Sequence, residues 1–358
     1  MRYLIDLGHP AHLHFFRNVT LRLNREGHEI LFTGREKDIL VKLANEYFLE
    51  ILVLGKAQKG IVKMGFEVFQ HQAKIIELIR SFKPHAMLAI AGTFIAVPGF
   101  LTKTPTYVFY DTEHATISNL LSYPFATCIY VPKCYRGDIR WRHERYNGYH
   151  EQAYLNPDVF TPDPLVLQEA GLKDGQKFSI LRFVNWEAAH DVGLKGISLD
   201  NKFKVVHELS KFGPVLISSE GNLPWELEPY RCKIPVSRMH HLLAYASLIF
   251  GESATMASEG ALLGVPGIYI DPVGRGYTDQ QEKEYGLVFN FHPERQNEAI
   301  TKAVEILTNF DKNFWRAKQS RLLAEKINVN DLVYRIAIDL PYSRKQKPPA
   351  VKLKKKRW

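Results

Sequence analysis

The chain has 358 residues, of which 46% are hydrophobic and 24% charged, as in typical globular proteins. This length is enough for two hydrophobic cores, and no stretch approaches the roughly 20 apolar residues of a membrane-spanning helix. The cysteines (Cys128, Cys134 and Cys232) form no CxxC pair, and residues 2–7 resemble a strand rather than a signal peptide, so the sequence predicts a soluble cytoplasmic protein.

The formal charge of +9 is concentrated at the C-terminus. Residues 344–358 contain eight lysines and arginines and no acidic residue, and subtracting these eight charges leaves +1 for the rest of the chain. A nearly neutral body argues against nucleic acid as a partner. The tail, residues 342–358, is predicted to be disordered. It either serves solubility or makes weak contact with an anionic membrane at its inner face.

The first half of the chain alternates strands with helices. The predicted strands are residues 3–7, 29–33, 50–54, 86–90, 106–110 and 127–131, and the predicted helices include one ending at Gly27 and those over 37–47 and 61–82. Thr93 is a candidate cap for the helix after the fourth strand. Such alternation predicts a parallel, doubly wound sheet with helices on both faces. We assign residues 1–150 to this first domain.

The character of the sequence changes at residues 145–165, which are rich in aromatic residues and prolines and lack periodicity. We place an interdomain linker at 151–165. A second alternating series follows, with strands predicted over 178–183, 214–218, 248–250 and 268–270, helices over 202–212 and 255–263, and closing helices over 293–308, 311–325 and 330–340. Residues 166–341 are therefore predicted to form a second α/β domain.

The most informative stretch is the strand–helix–strand unit over residues 248–270. Its first turn contains Ser253, Ala254 and Thr255, which are small enough to let a ligand approach the amides of a helix N-terminus, a favourable place for phosphate. Glu259 lies one turn further on, within reach of a ribose diol. The alternative is an ordinary turn followed by a solvated glutamate, since the sequence contains no GxGxxG fingerprint here.

Other candidates follow the predicted strands, because ligands of parallel sheets collect at the carboxyl ends. The loop after the first strand contains His9 and His12, suited to proton transfer or phosphate binding, and Asp111 follows the strand over 106–110. Each has a structural alternative: a histidine that caps the helix, or a solvated acid.

The second domain offers a further set at its own strand ends. Arg182 is a natural partner for a diphosphate, and Asn185 and Trp186 are suited to a base or sugar. The alternative is that Arg182 pairs with a buried carboxylate and Trp186 belongs to the core. Gln280 and Gln281 form a polar pair shortly after the strand over 268–270, and amides of this kind recognise sugar hydroxyls.

The pattern Ala254-Thr255-x-x-x-Glu259-x-x-x-x-Gly264-x-Pro266, followed by a strand, a proline and a Gln pair, resembles the nucleotide-sugar half of GT-B proteins. It is most similar to the peptidoglycan N-acetylglucosaminyltransferase and the non-hydrolysing UDP-N-acetylglucosamine 2-epimerases. The segments RYLIDLGHPAHLHFFRN and LRFVNWEAAHDVG resemble an uncharacterised GT-B-like family of archaea and bacteria. The resemblance implies two Rossmann-like domains with a cleft between them.

The resemblance also implies roles for individual residues. His12, with His9 second, matches a histidine that faces the acceptor and sugar, and the pair Gln280 and Gln281 matches one that contacts the donor sugar. The resulting hypothesis is a metal-independent glycosyltransferase without a cofactor, which binds a UDP-sugar and transfers the sugar to a glycan or lipid-linked acceptor. The alternatives are an epimerase of the UDP-N-acetylglucosamine 2-epimerase type and a non-catalytic GT-B-derived binding protein.

Overall fold

The computed structural model describes residues 1–36, 39–56, 58, 60–184, 196–219 and 221–341. The predicted tail over 342–358 therefore lies outside the described residues, as do Asn185 and Trp186. None of the described helices is long and apolar enough to cross a membrane.

The first sheet has seven parallel strands in the order β3-β2-β1-β4-β5-β6-β7. They are β1 (Arg2–Leu7), β2 (Glu29–Glu36), β3 (Leu52–Lys56), β4 (Ala86–Ile90), β5 (Thr106–Phe109), β6 (Cys128–Pro132) and β7 (His143–Tyr146). The helices between and after them are α1 (Pro10–Arg25), α2 (Leu40–Glu46), α3 (Ile61–Phe82), α4 (Ala96–Thr102), α5 (Thr116–Ser122) and α6 (Gln152–Leu155). The helix over 61–82 has the predicted bounds, whereas Ile95 rather than Thr93 precedes α4.

The second sheet has five parallel strands in the order β12-β11-β10-β8-β9. They are β8 (Ser179–Phe183), β9 (Val215–Ser219), β10 (Leu248–Gly251), β11 (Gly267–Ile270) and β12 (Val288–Phe291). The helices are α7 (Leu165–Glu169), α8 (Leu199–Ser210), α9 (Met239–Leu243), α10 (Ala254–Leu263), α11 (Gly276–Gln280), α12 (Gln296–Thr308), α13 (Lys312–Glu325) and α14 (Val329–Asp339). Two parallel α/β sheets confirm the predicted fold class.

Residues 145–165, which lack periodicity in the sequence, contain regular secondary structure. Strand β7 extends the first sheet at its edge, and all four residues of α6 are buried. β7 has the sequence HERY, in which only Tyr146 is buried, so it lacks the apolar alternation that marks a strand. The first part of the connection, through Leu155, is therefore buried, whereas residues 156–165 are half-buried or exposed.

The last helix, α14, returns to the first sheet. The Tyr3 hydroxyl donates to the Ala337 carbonyl at 2.8 Å, and the Tyr107 hydroxyl donates to that of Pro341 at 2.7 Å. The Arg22 guanidinium lies 3.4 Å from the centre of the Tyr334 ring. α14 therefore packs on the first domain, although it ends the stretch that the sequence assigns to the second. The chain therefore returns from the second sheet to the first before α14.

Candidate functional site

The turn between β10 and α10 lies at the carboxyl edge of the second sheet. Ser253 caps the helix, because its Oγ accepts a hydrogen bond from the Met256 amide at 3.3 Å. Ala254 is buried and Thr255 is half-buried in the first turn. Gly251 makes this turn possible, since a Cβ there would collide with the Arg182 carbonyl oxygen. The predicted helix N-terminus is therefore present at the place expected for a ligand.

Arg182 and Glu252 border this turn. Arg182, in β8, is half-buried and its Nη1 donates to Ser218 Oγ in β9 at 2.9 Å. The buried Glu252 carboxylate accepts from the amides of Val184 at 3.0 Å and Ile197 at 2.6 Å, which flank residues 185–195. Sequence reasoning missed this role of Glu252. The position of Glu252 between small residues at the end of a strand is the sequence signal that could have indicated it.

The Glu259 carboxylate is buried where α10 meets the linker. Its Oε1 accepts hydrogen bonds from the Tyr154 hydroxyl and from His240 Nε2, both at 2.9 Å. Tyr154 was not singled out in the sequence, and His240 was not among its candidates. Both come from segments distant in sequence, so only the tertiary structure brings them together. The ribose contact of Glu259 remains a prediction.

The two candidate histidines of the first loop hydrogen-bond to nearby backbone. His9 caps α1, with its Nδ1 accepting from the Ala11 amide at 3.2 Å, and His12 Nδ1 accepts from the Gly8 amide at 3.1 Å. Their ring centres are 6.1 Å apart. A neutral imidazole whose Nδ1 accepts a bond carries its proton on Nε2. Both rings are thus arranged to donate a hydrogen bond, and a base role at Nδ1 would require that bond to break.

Asp111 forms a carboxylate–imidazole pair with His150. Asp111 Oδ2 lies 3.1 Å from His150 Nδ1, and the two side chains are only 16% and 7% exposed. Burial by itself would raise the pKa of Asp111, but the charge and hydrogen bond of His150 outweigh it, so the pKa lies below its usual value. Thr112 adds a bond to Oδ1 at 3.1 Å. Asp111 is therefore a carboxylate at neutral pH.

Glu151, the residue after His150, behaves in the opposite way. Its side chain is buried, and burial raises its pKa well above the usual value, with further increases from Asp111 and Glu259. Glu151 is therefore protonated where Asp111 is ionised. Two carboxyl groups with pKa values displaced in opposite directions are typical of acid and base partners. No sequence signal singled out His150 or Glu151 beyond their place in a polar and aromatic segment.

The two residues of the Gln pair have different surroundings. Gln281 is fully buried and its Nε2 donates to Ser258 Oγ at 2.7 Å. Gln280 Oε1 accepts from the Tyr149 hydroxyl at 2.8 Å and from Lys326 Nζ at 3.1 Å. The bond to Tyr149 joins α11 to the end of the first domain, whereas the bonds to Ser258 and Lys326 lie within the second. A sugar contact by this pair remains a prediction.

The loop containing Asp111 touches the second domain. Glu113 Oε1 accepts from the Gly276 amide, at the start of α11, and from the Arg136 amide, both at 3.1 Å. The Arg136 guanidinium forms an ion pair with Asp279. These contacts close one side of the cleft. Asp111, Glu151 and Glu259 therefore lie along a common interdomain boundary.

Comparison with solved structures identifies the class of fold. Over 95% of this chain and all of the other, the structure is similar to UDP-GlcNAc 2-epimerase from Neisseria meningitidis bound to UDP-GlcNAc, with 12% identity and a TM-score of 0.67. It is also similar to UDP-GlcNAc 2-epimerase from Methanocaldococcus jannaschii over 95% of this chain and 100% of the other, with 15% identity and a TM-score of 0.64. The similarity to the spinosyn rhamnosyltransferase SpnG with its aglycone covers 94% of this chain and 100% of the other, with 13% identity and a TM-score of 0.57. The fold is GT-B-like, with two Rossmann-like domains.

The chain belongs to the family described as Protein of unknown function (DUF354), whose model matches residues 1–181. An uncharacterized protein from Methanocaldococcus jannaschii is 28% identical over 128 residues, which are 36% of this chain and 38% of that protein. The chain thus spans less than two fifths of the curated relative that it matches. The resemblance to an uncharacterised GT-B-like family is confirmed.

Proposed function

We propose that the interdomain cleft binds a nucleotide-diphosphate sugar, with a UDP-sugar favoured, and that the protein is an enzyme acting on it. The observation that carries this proposal is the capped N-terminus of α10 at the carboxyl edge of the second sheet, bordered by Arg182. Helix amides and a guanidinium are complementary to a diphosphate. The neighbours of the same fold include proteins described with UDP-GlcNAc, which supports the choice of ligand.

A cavity beside this turn suits the nucleoside. It has a volume of about 440 Å³ at the carboxyl ends of β8 and β9. Its described lining is Phe183, Val184, Leu199, Lys202, Ser219, Gly221, Asn222, Leu223 and Pro224. Lys202 Nζ lies 4.8 Å from the centre of the Phe183 ring, so the cavity combines an apolar wall with a cation. Asn185 and Trp186 flank this region in sequence and remain proposed base or sugar contacts.

The proposed reaction is glycosyl transfer. Asp111 is the proposed base for an acceptor hydroxyl, which belongs to a glycan or lipid-linked acceptor, and His9 and His12 donate hydrogen bonds to sugar or phosphate oxygens. A bond forms between the acceptor oxygen and the anomeric carbon as the bond from that carbon to the diphosphate breaks. The diphosphate departs with the electron pair, and Arg182 and the α10 amides stabilise its charge.

Epimerisation is the second candidate, and the acid pair favours it. A carbon centre can be inverted by proton exchange next to a carbonyl or by elimination and readdition of a leaving group. Either route requires a base and an acid at one site. Asp111 and Glu151 hold opposite protonation states on the same boundary. Product analysis in D2O with UDP-GlcNAc separates the two reactions. Deuterium at C2 of the recovered nucleotide sugar indicates epimerisation, whereas release of UDP that depends on an added acceptor indicates transfer.

The binding proposal is tested by titrating UDP-GlcNAc into the wild type and Glu259→Gln. Gln keeps the shape of the side chain but loses its charge, so we expect about tenfold weaker binding if Glu259 contacts the ribose, consistent with a charged hydrogen bond. Glu298→Gln, at an exposed residue of α12, is the matched control and should bind as the wild type. Absence of UDP-GlcNAc and UDP binding by the folded wild type would contradict the proposal.

A further inference from the structure

A second cavity lies where α1, the linker and the second domain meet. Its volume is about 120 Å³. Its lining is His14, Arg17, Asn18, Tyr47, Tyr154, Val159, Phe160, Ser237, His240 and His241. These residues come from both domains and from the chain between them, so an occupant would touch all three parts at once.

The described residues that line this cavity include no carboxylate. They supply instead one guanidinium, three imidazoles, an amide and three hydroxyl groups. Two nearby acids are engaged by protein donors: Glu46 Oε2 accepts from the Ser237 amide at 2.8 Å, and Glu259 accepts from Tyr154 and His240. The polar lining therefore favours a ligand rich in acceptor atoms and negative charge.

The electrostatic environment of His14 also favours a negatively charged ligand. His14 is buried, and burial lowers its pKa well below the usual value, with neighbouring His240, Arg17 and His9 lowering it further. The positive charge of Arg17 therefore adds to burial in keeping this imidazole neutral. A negative ligand would offset that charge.

The walls of the cavity are held in place before any ligand arrives. The His14 and His240 rings meet edge to face with their centres 4.5 Å apart, and the Tyr154 ring centre is 5.3 Å from that of His14. The Tyr47 hydroxyl lies 3.3 Å from His14 Nδ1, and the Arg17 guanidinium packs 4.4 Å from the centre of the Tyr47 ring. Such packing fixes the positions of polar groups and lowers the entropic cost of binding.

We propose that this cavity is a binding site for a phosphate-sized oxyanion, either inorganic phosphate or the phosphate group of a larger molecule. Arg17 supplies the charge, and the Ser237 hydroxyl and the N–H groups of His14 and His241 supply further donors. The site adjoins the proposed nucleotide-sugar site, because Tyr154 and His240 in its lining bond Glu259, but its lining contains none of the residues proposed to contact the nucleotide. Because the lining spans both domains, an oxyanion here would hold them together and stabilise their present arrangement.

The test is titration of the full chain with sodium phosphate, followed by calorimetry and thermal unfolding at constant ionic strength balanced with sodium chloride. Arg17→Met keeps an apolar side chain of similar length but removes the guanidinium, and Arg25→Met changes an exposed arginine on the same helix. We expect phosphate to raise the Tm of the wild type and of Arg25→Met. Arg17→Met should bind phosphate about tenfold more weakly or worse.

A parallel titration uses glucose 6-phosphate. Tighter binding of inorganic phosphate supports a site for the free ion, and tighter binding of glucose 6-phosphate supports a site for the phosphate group of a larger molecule. Repeating the phosphate titration with saturating UDP should give the same affinity. Three results overturn the proposal: no phosphate binding by the wild type, equal losses in the two arginine variants, or displacement of phosphate by UDP. The last would show that the oxyanion occupies the nucleotide site. If Arg17→Met does not fold, Ser237→Ala tests the same cavity from the second domain.

Discussion

The pairing of Asp111 with His150 predicts an energetic coupling that can be measured without knowing the substrate. The bond of 3.1 Å joins two side chains that are 16% and 7% exposed, so water screens it only weakly. A hydrogen bond to a charged group in such a place contributes about 1.5–3 kcal/mol. His150→Ala should cost somewhat more, because the ring also packs 4.8 Å from the Phe15 ring, a contact of about 0.5–1.5 kcal/mol.

The assay is urea unfolding of the wild type, His150→Ala, Asp111→Asn and the double variant. At pH 7 we expect a coupling free energy of about 1.5–3 kcal/mol between the two positions. His150→Asn, whose amide lies near the position of Nδ1, should recover part of it. His143→Ala, at a half-buried histidine of β7 that bonds the Trp141 carbonyl, is the control and should show no coupling with Asp111→Asn.

The dependence of this coupling on pH follows from the pKa of Asp111. Its folded pKa lies below the ordinary value near 3.9 of an unfolded chain, because His150 outweighs burial. The stabilisation is therefore fully present above about pH 4 and is lost as the pH falls through the lowered folded pKa. A coupling within about 0.5 kcal/mol of zero at pH 7 would refute the interpretation of a charged, buried pair.

Three further predictions concern other parts of the chain. Gly251→Ala should destabilise the protein by at least about 1–3 kcal/mol in urea unfolding, because the added Cβ meets the Arg182 carbonyl. Gly65→Ala, in α3 with no neighbour, should instead stabilise it slightly. Equal effects of the two substitutions would contradict this prediction. Truncation after Pro341, whose carbonyl is bonded by Tyr107, should leave the Tm unchanged and reduce any binding to anionic vesicles, and loss of folding would contradict the prediction. If His12 donates a hydrogen bond through Nε2, His12→Gln should retain much of the turnover that His12→Ala loses, and equal inactivity of both would favour a base.

Local signals in the sequence were strong enough to define the central unit of the second domain. The buried runs at β10 and β11, with Gly264 and Pro266 ending the intervening helix, require no knowledge of the remainder of the chain. Gly264 indeed adopts a left-handed conformation at the end of α10, with φ of 76°. The strand β7 was missed for the opposite reason, since its position at the sheet edge imposes no apolar alternation.

The contacts of the site were less predictable, because they join residues far apart in the chain. Tyr154 and His240 converge on Glu259 from positions 105 and 19 residues away. The Gln pair shows a second limit. Consecutive helical residues point about 100° apart, so Gln280 faces the end of the first domain while Gln281 enters the core. A pattern of residue types cannot distinguish these directions unless the neighbouring segments are already placed.

The two carboxylate–imidazole pairs give the cleft a consistent electrostatic design. Asp111 with His150 lies on the side of the first domain, and Glu259 with His240 lies on the side of the second. Glu151 lies in the connecting segment, and after burial, Asp111 and then Glu259 are the charges that raise its pKa. A movement that separates the domains admits water to Glu151 and moves at least one of these charges away, and both changes lower its pKa. This boundary therefore favours the protonated form of Glu151 together with the ionised form of Asp111, the acid and base that the proposed epimerisation requires.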